Sequence, residues 1–166
     1  MKNLELKTLY GFEFVKAGVF YLAETPWKIQ SRGWEIRASL ELVSEKFRKA
    51  DETVYLVYSD DDLVYVGEYT YNLESRWLSG NYVDHHKSDD IERQLEAGCD
   101  VTLWLAVFPY LPVGRTLQAI NISKSIEHEL LKKCDPKWNN RNKRSASEKW
   151  RQKNCISVAD IVKSSK

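Results

Sequence analysis

Residues 53–77 read "TVYLVYSDDDLVYVGEYTYNLESRW", two runs of Val, Leu and Tyr set around three consecutive aspartates. β-Branched and aromatic side chains suit a pleated, half-buried surface. The polar triplet between them is short enough for a hairpin turn. The stretch therefore predicts strands at about 53–58 and 63–68. Asn72 follows as a cap, because its side-chain oxygen can accept from a free N–H in the first turn of a helix "LESRWLS" that Gly80 closes.

Working outward, Ile36, Leu40, Val43 and Phe47 recur at steps of four, three and four, which predicts a helix over 35–50. Asp89 before "DIERQLEA" and Gly98 after it predict a second helix with a C-terminal stop. "DVTLWLAVF" is the most apolar β-rich run and is expected near the centre of the sheet, with Pro109 and Pro112 marking its end. From Ile120 the period turns helical: Ile122, Ile126 and Leu130 share a face, Leu131 widens it, and the run stops before Pro136. Ser157 with Asp160 starts a last helix, "VADIVKS". The expected fold is α+β: a small three-stranded, mainly antiparallel sheet flanked by helices. Residues 1–166 form a single domain, with a core at about 52–141, a helical N-terminal extension at 1–51 and a basic helical C-terminal extension at 142–166.

The composition, 43% hydrophobic with 7 Gly and 4 Pro among 166 residues, fits one buried core and argues against disorder. No run approaches the length of a membrane span, and the charges scattered through "MKNLELKTLYGFEF" do not form a secretory leader. A cytoplasmic protein with no membrane partner is expected. Cys99, Cys134 and Cys155 are odd in number and far apart, which suits reduced thiols.

The net charge of +1 conceals a division along the chain. Residues 52–131 carry five Lys/Arg against fourteen Asp/Glu, whereas residues 132–153, "KKCDPKWNNRNKRSASEKWRQK", carry nine against two. Cations with Trp138 and Trp150 among them suit a surface that tracks phosphates. A solvated helical face is the plainer alternative. On the nucleic-acid reading, Lys132, Lys137, Arg141, Lys143, Arg144, Lys149 and Arg151 are the candidate DNA contacts.

Adjacent His85 and His86 cannot easily face one ion from a regular element, and the cysteines have no C-x-x-C partner, so a structural zinc site is not expected. There is no G-x-S-x-G elbow and no glycine-rich phosphate loop. What remains is Thr53-Val54-Tyr55, Tyr65-Val66-Gly67 ten residues on, "EYTYNLESR" with Asn72, Leu73 and Arg76, and "SIEHELLKKCDPKWNN". In this last segment Glu127, Leu130, Leu131, Lys132, Pro136 and Asn139 keep a fixed register. Taken jointly, these motifs resemble the GIY-YIG nuclease family over about residues 52–141. Two departures stand out: Thr53 and Val54 replace the glycine and isoleucine of the first tripeptide, and Arg76 comes one residue late, so the family alignment is loose at Tyr69 and Thr70.

The resemblance implies a metal-dependent endonuclease hydrolysing phosphodiesters in double-stranded DNA, most similar to the small type II restriction enzymes of that family. Repair, phage and mobile-element nucleases share the same core, and a catalytically silent nucleic-acid-binding module is the alternative from another class. Glu127 is implied as the ligand of one Mg²⁺, with Mn²⁺ able to substitute, and Arg76 as the cation against the scissile phosphate. Tyr55 is implied as the general base or relay to the attacking water, which requires a pKa lowered from about 10 by a neighbouring cation. Tyr65 would orient the same water or bind the phosphate, and Asn139 would fix the end of the catalytic loop. His85, His86 and Lys87 lie where some members keep an extra basic residue, and the alignment does not choose among them. Recognition of a symmetric site would favour a homodimer.

Overall fold

The computed structural model describes residues 4–29, 33–80, 82–112 and 119–139. In chain order the strands begin with β1 (Leu6–Leu9), β2 (Phe12–Leu22), β3 (Trp27–Ile29), β4 (Gly33–Glu35) and β5 (Ala38–Leu42). A 3₁₀ turn at Glu45–Lys49 leads to β6 (Thr53–Ser59), β7 (Asp62–Tyr69) and helix α1 (Leu73–Trp77). Next come β8 (Leu78–Ser79), β9 (Tyr82–Val83), α2 (Ser88–Glu96) and β10 (Val101–Ala106). Strands β11 (Tyr110–Pro112) and β12 (Ala119–Asn121) then precede α3 (Ser123–Cys134). No described helix is long and apolar enough to cross a membrane.

The class is α+β as expected, but the antiparallel sheet is larger than three strands. Its order is β1-β2-β10-β6-β7, and β5 joins along the second half of β2, beyond the stretch that β1 occupies. "DVTLWLAVF" does supply a central strand, since β10 pairs with both β2 and β6. All seven residues of β6 are buried, because both faces of the sheet are covered. Tyr55 and Val57 enter one apolar cluster with Trp77 and Ile91; Val54, Leu56 and Tyr58 enter another with Ile126 and Leu130. α1 and α2 thus cover one face and α3 the other, consistent with the period-two alternation of a strand.

The N-terminal extension is built of strands, and the helix expected over 35–50 does not form. Ile36, the first residue of its apolar stripe, is 54% exposed, while residues 38–42 pair with β2 from Leu22 back to Gly18. A ladder of cross-strand hydrogen bonds and burial of Ala38 and Leu40 outweighs a helical period that only four residues carried. Phe47 still packs on the core, from the 3₁₀ turn that Ser44 caps.

Asn72 caps α1 as expected, accepting from the Ser75 N–H at 2.8 Å. Helix α1 is shorter than "LESRWLS" because Leu78 and Ser79 leave it to pair with β9. Asp89 is not a cap: α2 begins at Ser88, after Lys87. At Ile120 the chain is still strand, and α3 starts at Ser123, whose N–H is received by the Asn121 side chain at 2.8 Å. The helix over "VADIVKS" and its Ser157 cap lie outside the described residues.

Candidate active site

The site gathers on β7, the strand at the edge of the sheet. Its open edge would expose unpaired backbone groups, and the segment after α3 covers them. The Trp138 N–H donates to the Val64 carbonyl at 2.9 Å. The Asn139 side chain then acts as a strand partner, its Nδ2 donating to the Val66 carbonyl at 2.7 Å and its Oδ1 accepting from the Val66 N–H at 2.9 Å. Asn139 therefore fastens the segment after α3 to the middle of the second tyrosine tripeptide.

Beneath this edge lies a buried layer. Tyr55 sits opposite Gly67 across the β6–β7 ladder, and its side chain is fully buried. Its phenol lies over Gly67: a Cβ there would meet Tyr55 Cζ and Oη at 2.5 Å. This explains physically why the tripeptide ends in glycine. The Tyr55 oxygen accepts from Arg76 Nε at 3.2 Å and lies 3.1 Å from His85 Nε2. His85 is buried, its ring stacked on Trp77 at 4.0 Å and 19°. Its Nδ1 accepts from the Lys87 N–H at 3.2 Å.

The electrostatics of this layer reverse one expectation. Burial, reinforced by the His86, Arg76 and Lys87 charges, pushes the His85 pKa down to about 2, so its ring is neutral. With Nδ1 accepting, the single proton sits on Nε2 and is donated to the Tyr55 oxygen. Tyr55 thus receives two donors, which favours a phenolate. Burial is nevertheless the larger effect, Tyr65 adds to it, and the Tyr55 pKa is raised above the usual phenol range despite Arg76. The lowered pKa expected for Tyr55 is not found. Its oxygen is held as a neutral phenol in a buried layer and does not line the cleft above.

That cleft encloses about 580 Å³ and is walled by Tyr65, Arg76, Glu127 and Asn139, four of the five candidate catalytic residues. His86, Lys87 and Glu68 also line it, as do the phenols of Tyr69 and Tyr71. The Tyr65 oxygen is 3.1 Å from His86 Nε2, and the Lys87 ammonium, paired with Asp90 at 3.2 Å, lies 5.8 Å from the centre of the Tyr65 ring. Arg76 is half-buried in the last turn of α1. Burial opposes its charge, but the Tyr55 oxygen, Tyr65 and the Glu68 carboxylate outweigh that cost and raise its pKa. Only Nε is used in hydrogen bonding among the described residues, which leaves the terminal guanidinium nitrogens for the cleft.

Glu127 projects from α3 and Glu68 from β7, and both also line a neighbouring cavity of about 440 Å³ with Lys124, Ser125 and His128. Glu68 Oε2 is buried without a hydrogen-bond partner among the described residues. Among those residues no three His, Cys, Asp or Glu converge as a complete metal cage. A donor set of one or two carboxylates fits a hard ion that keeps most of its waters, as Mg²⁺ does.

The sequence reading left His85, His86 and Lys87 unresolved and did not single out Glu68. The histidines divide by their ring nitrogens, His85 Nε2 meeting the Tyr55 oxygen and His86 Nε2 the Tyr65 oxygen, with the two imidazoles packed together at 4.1 Å. Of the candidate DNA contacts, Lys132 and Lys137 are exposed, lie outside the cleft and pair with Glu129 at 3.3 Å and Asp62 at 2.9 Å. Arg141, Lys143, Arg144, Lys149 and Arg151 lie outside the described residues.

No family model matches the chain, and no curated protein does. Among solved structures, a mutant of bacteriophage T4 EndoII is similar to this chain with a TM-score of 0.43 and 20% identity, over 72% of this chain and 91% of that one.

Proposed function

We propose that the chain is a metal-dependent DNA endonuclease of the GIY-YIG kind that cuts double-stranded DNA, most specifically a type II restriction enzyme. One observation carries the reading: four residues from distant parts of the sequence, Tyr65, Arg76, Glu127 and Asn139, line one cleft. Their types match what phosphodiester hydrolysis requires. An anionic phosphate repels its nucleophile, so a site must place positive charge where the transition state becomes more negative. Arg76 supplies a permanent cation whose unused nitrogens form a fork suited to phosphate oxygens.

Glu127, with Glu68 beside it, would hold the divalent ion. Such an ion supplies stabilisation of the negative charge on the leaving oxygen. The attacking water must lose a proton on the cleft side, where Tyr65 and His86 stand 3.1 Å apart. We assign proton transfer to that pair and leave Tyr55 the task of holding Arg76 through its Nε. The basic composition of residues 132–153 fits tracking of a DNA backbone.

The test is incubation of the full chain with plasmid and Mg²⁺ or Mn²⁺, followed by sequencing of the product ends. Discrete ends at one sequence would support restriction, and scattered nicks would favour the repair or mobile-element role. Absence of cleavage at every salt and divalent-ion condition, with binding intact, would leave only a silent binding module.

A further inference from the structure

Tyr71 is the most exposed large apolar or aromatic side chain among the described residues, at 81%, yet it belongs to the wall of the cleft. It has no hydrogen-bond or ring partner there among those residues. A single exposed tyrosine is ordinary on a convex surface, but this one stands on a fixed backbone. Two residues before it, Tyr69 is buried and stacked on Tyr55 at 6.0 Å and 23°. Two residues after it, Leu73 is fully buried and its N–H donates to the Ala50 carbonyl at 3.2 Å. Asn72 between them caps α1. The ring is presented from a short bend clamped at both ends, and tyrosine has few rotatable bonds to order on binding.

A phosphate alone would be served by Arg76 and Lys87. The same wall also carries Tyr71 and Trp138, and aromatic faces suit flat, apolar surfaces better than phosphate. In a nucleic acid, the flat group beside every phosphate is a base, so Arg76 and Tyr71 together describe a nucleotide.

We propose that Tyr71 forms a nucleobase-stacking subsite next to the cut, taking the base of the nucleotide whose phosphate Arg76 holds. The proposal rests on the endonuclease reading and narrows its substrate. Within a duplex both faces of a base are already occupied by neighbours, so the ring can stack only where a base has lost a neighbour, at a parted step or by leaving the helix. Leaving is easiest at a mismatch or in a single strand. The protein therefore unstacks a base beside the cut as it binds, and binds more tightly where that base is already unpaired.

The test uses the full chain and duplexes carrying the mapped cut site, paired or with one mismatch beside it, and with 2-aminopurine placed in turn on either side of the cut. Binding is followed by anisotropy and base stacking by 2-aminopurine fluorescence, with EDTA present to prevent cleavage. The wild type is expected to bind the mismatched duplex about tenfold more tightly, the scale of one base–aromatic stack, and to change the 2-aminopurine signal. Tyr71→Ala should lose both effects and Tyr71→Phe should keep both, since the ring and not the hydroxyl is used. A folded Tyr71→Ala protein that retains the preference and the signal would overturn the subsite. A wild type that cuts DNA without either effect would overturn the subsite alone, whereas one that neither binds nor cuts DNA would overturn the endonuclease reading with it.

Discussion

The two signature tyrosines are both buried, Tyr55 at 0% and Tyr65 at 6% exposure, and pack in one cluster, but only Tyr65 lines the cleft. Tyr55 is wholly buried between Trp77, Tyr69 and Gly67, its oxygen accepting from Arg76 and His85. Tyr65 reaches the cleft and meets His86 there. Residues that share a motif thus divide into one enclosed beneath the cleft and one that lines it. Burial, which raises the Tyr55 pKa, is also what makes it a rigid seat for Arg76. The difference can be broken experimentally, because loss from the buried layer should register first as stability and loss from the cleft first as rate.

The largest expected effect is on the cleft side. Glu127→Ala should reduce plasmid cleavage by roughly 10³-fold, the scale of losing a principal electrostatic contributor, with thermal stability and DNA binding nearly unchanged. Near-native cleavage would remove Glu127 from the chemistry. His86→Ala should slow cleavage by about 10²-fold if it shares the proton with Tyr65. A wild-type rate would return that role to another group.

On the buried side, Tyr55→Phe removes the acceptor of two buried donors, Arg76 Nε and His85 Nε2–H. It should cost about 1–3 kcal/mol of stability as well as activity, measured by urea denaturation beside the cleavage assay. Tyr65→Phe should leave stability closer to wild type. Gly67→Ala offers a second probe of the same layer. Its methyl group would lie 2.5 Å from the Tyr55 ring, and overpacking of that kind costs about 1–3 kcal/mol. Equal denaturation midpoints for Tyr55→Phe and Tyr65→Phe would erase the distinction between the layers.

How far this arrangement was legible depends on how local its causes are. The hairpin of β6 and β7, the Asn72 cap and the apolar face of α3 are written in neighbouring residues, and the family resemblance carried on them brought Tyr55, Tyr65, Arg76, Glu127 and Asn139 forward as a set, of which all but Tyr55 line the cleft. The edge pairing of Asn139 with Val66 spans 73 residues of sequence, so only its residue type was visible. The strand at 38–42 was misread because the partner that stabilises it, β2, was itself unread. A local signal for β2 did exist. Tyr10 and Gly11 both adopt positive φ, 50° and 84°, the conformation of a tight hairpin turn between β1 and β2, and Tyr-Gly between apolar runs hints at it. The raised pKa of Tyr55 could not be read at all, since desolvation depends on what closes over a side chain from elsewhere in the fold.

The smallest effect at neutral pH concerns His85, and its sign is fixed by the direction of its shift. In the unfolded chain its imidazole takes up a proton near pH 6.5, whereas in the fold protonation waits until about pH 2. Between those values the unfolded state binds one more proton than the native state, so stability from this group is present above pH 6.5 and falls as the pH drops. The loss approaches about 1.4 kcal/mol per pH unit in that window. His85→Gln has no proton to take up, so its stability should fall less steeply between pH 6 and pH 4, whatever offset it shows at pH 7 from losing the stack on Trp77. Urea denaturation of both proteins across that range isolates the difference in slope, since the other titrating groups are shared. Parallel slopes would mean that His85 can be protonated in the fold, and the donor it gives Tyr55 would no longer be tied to a neutral ring.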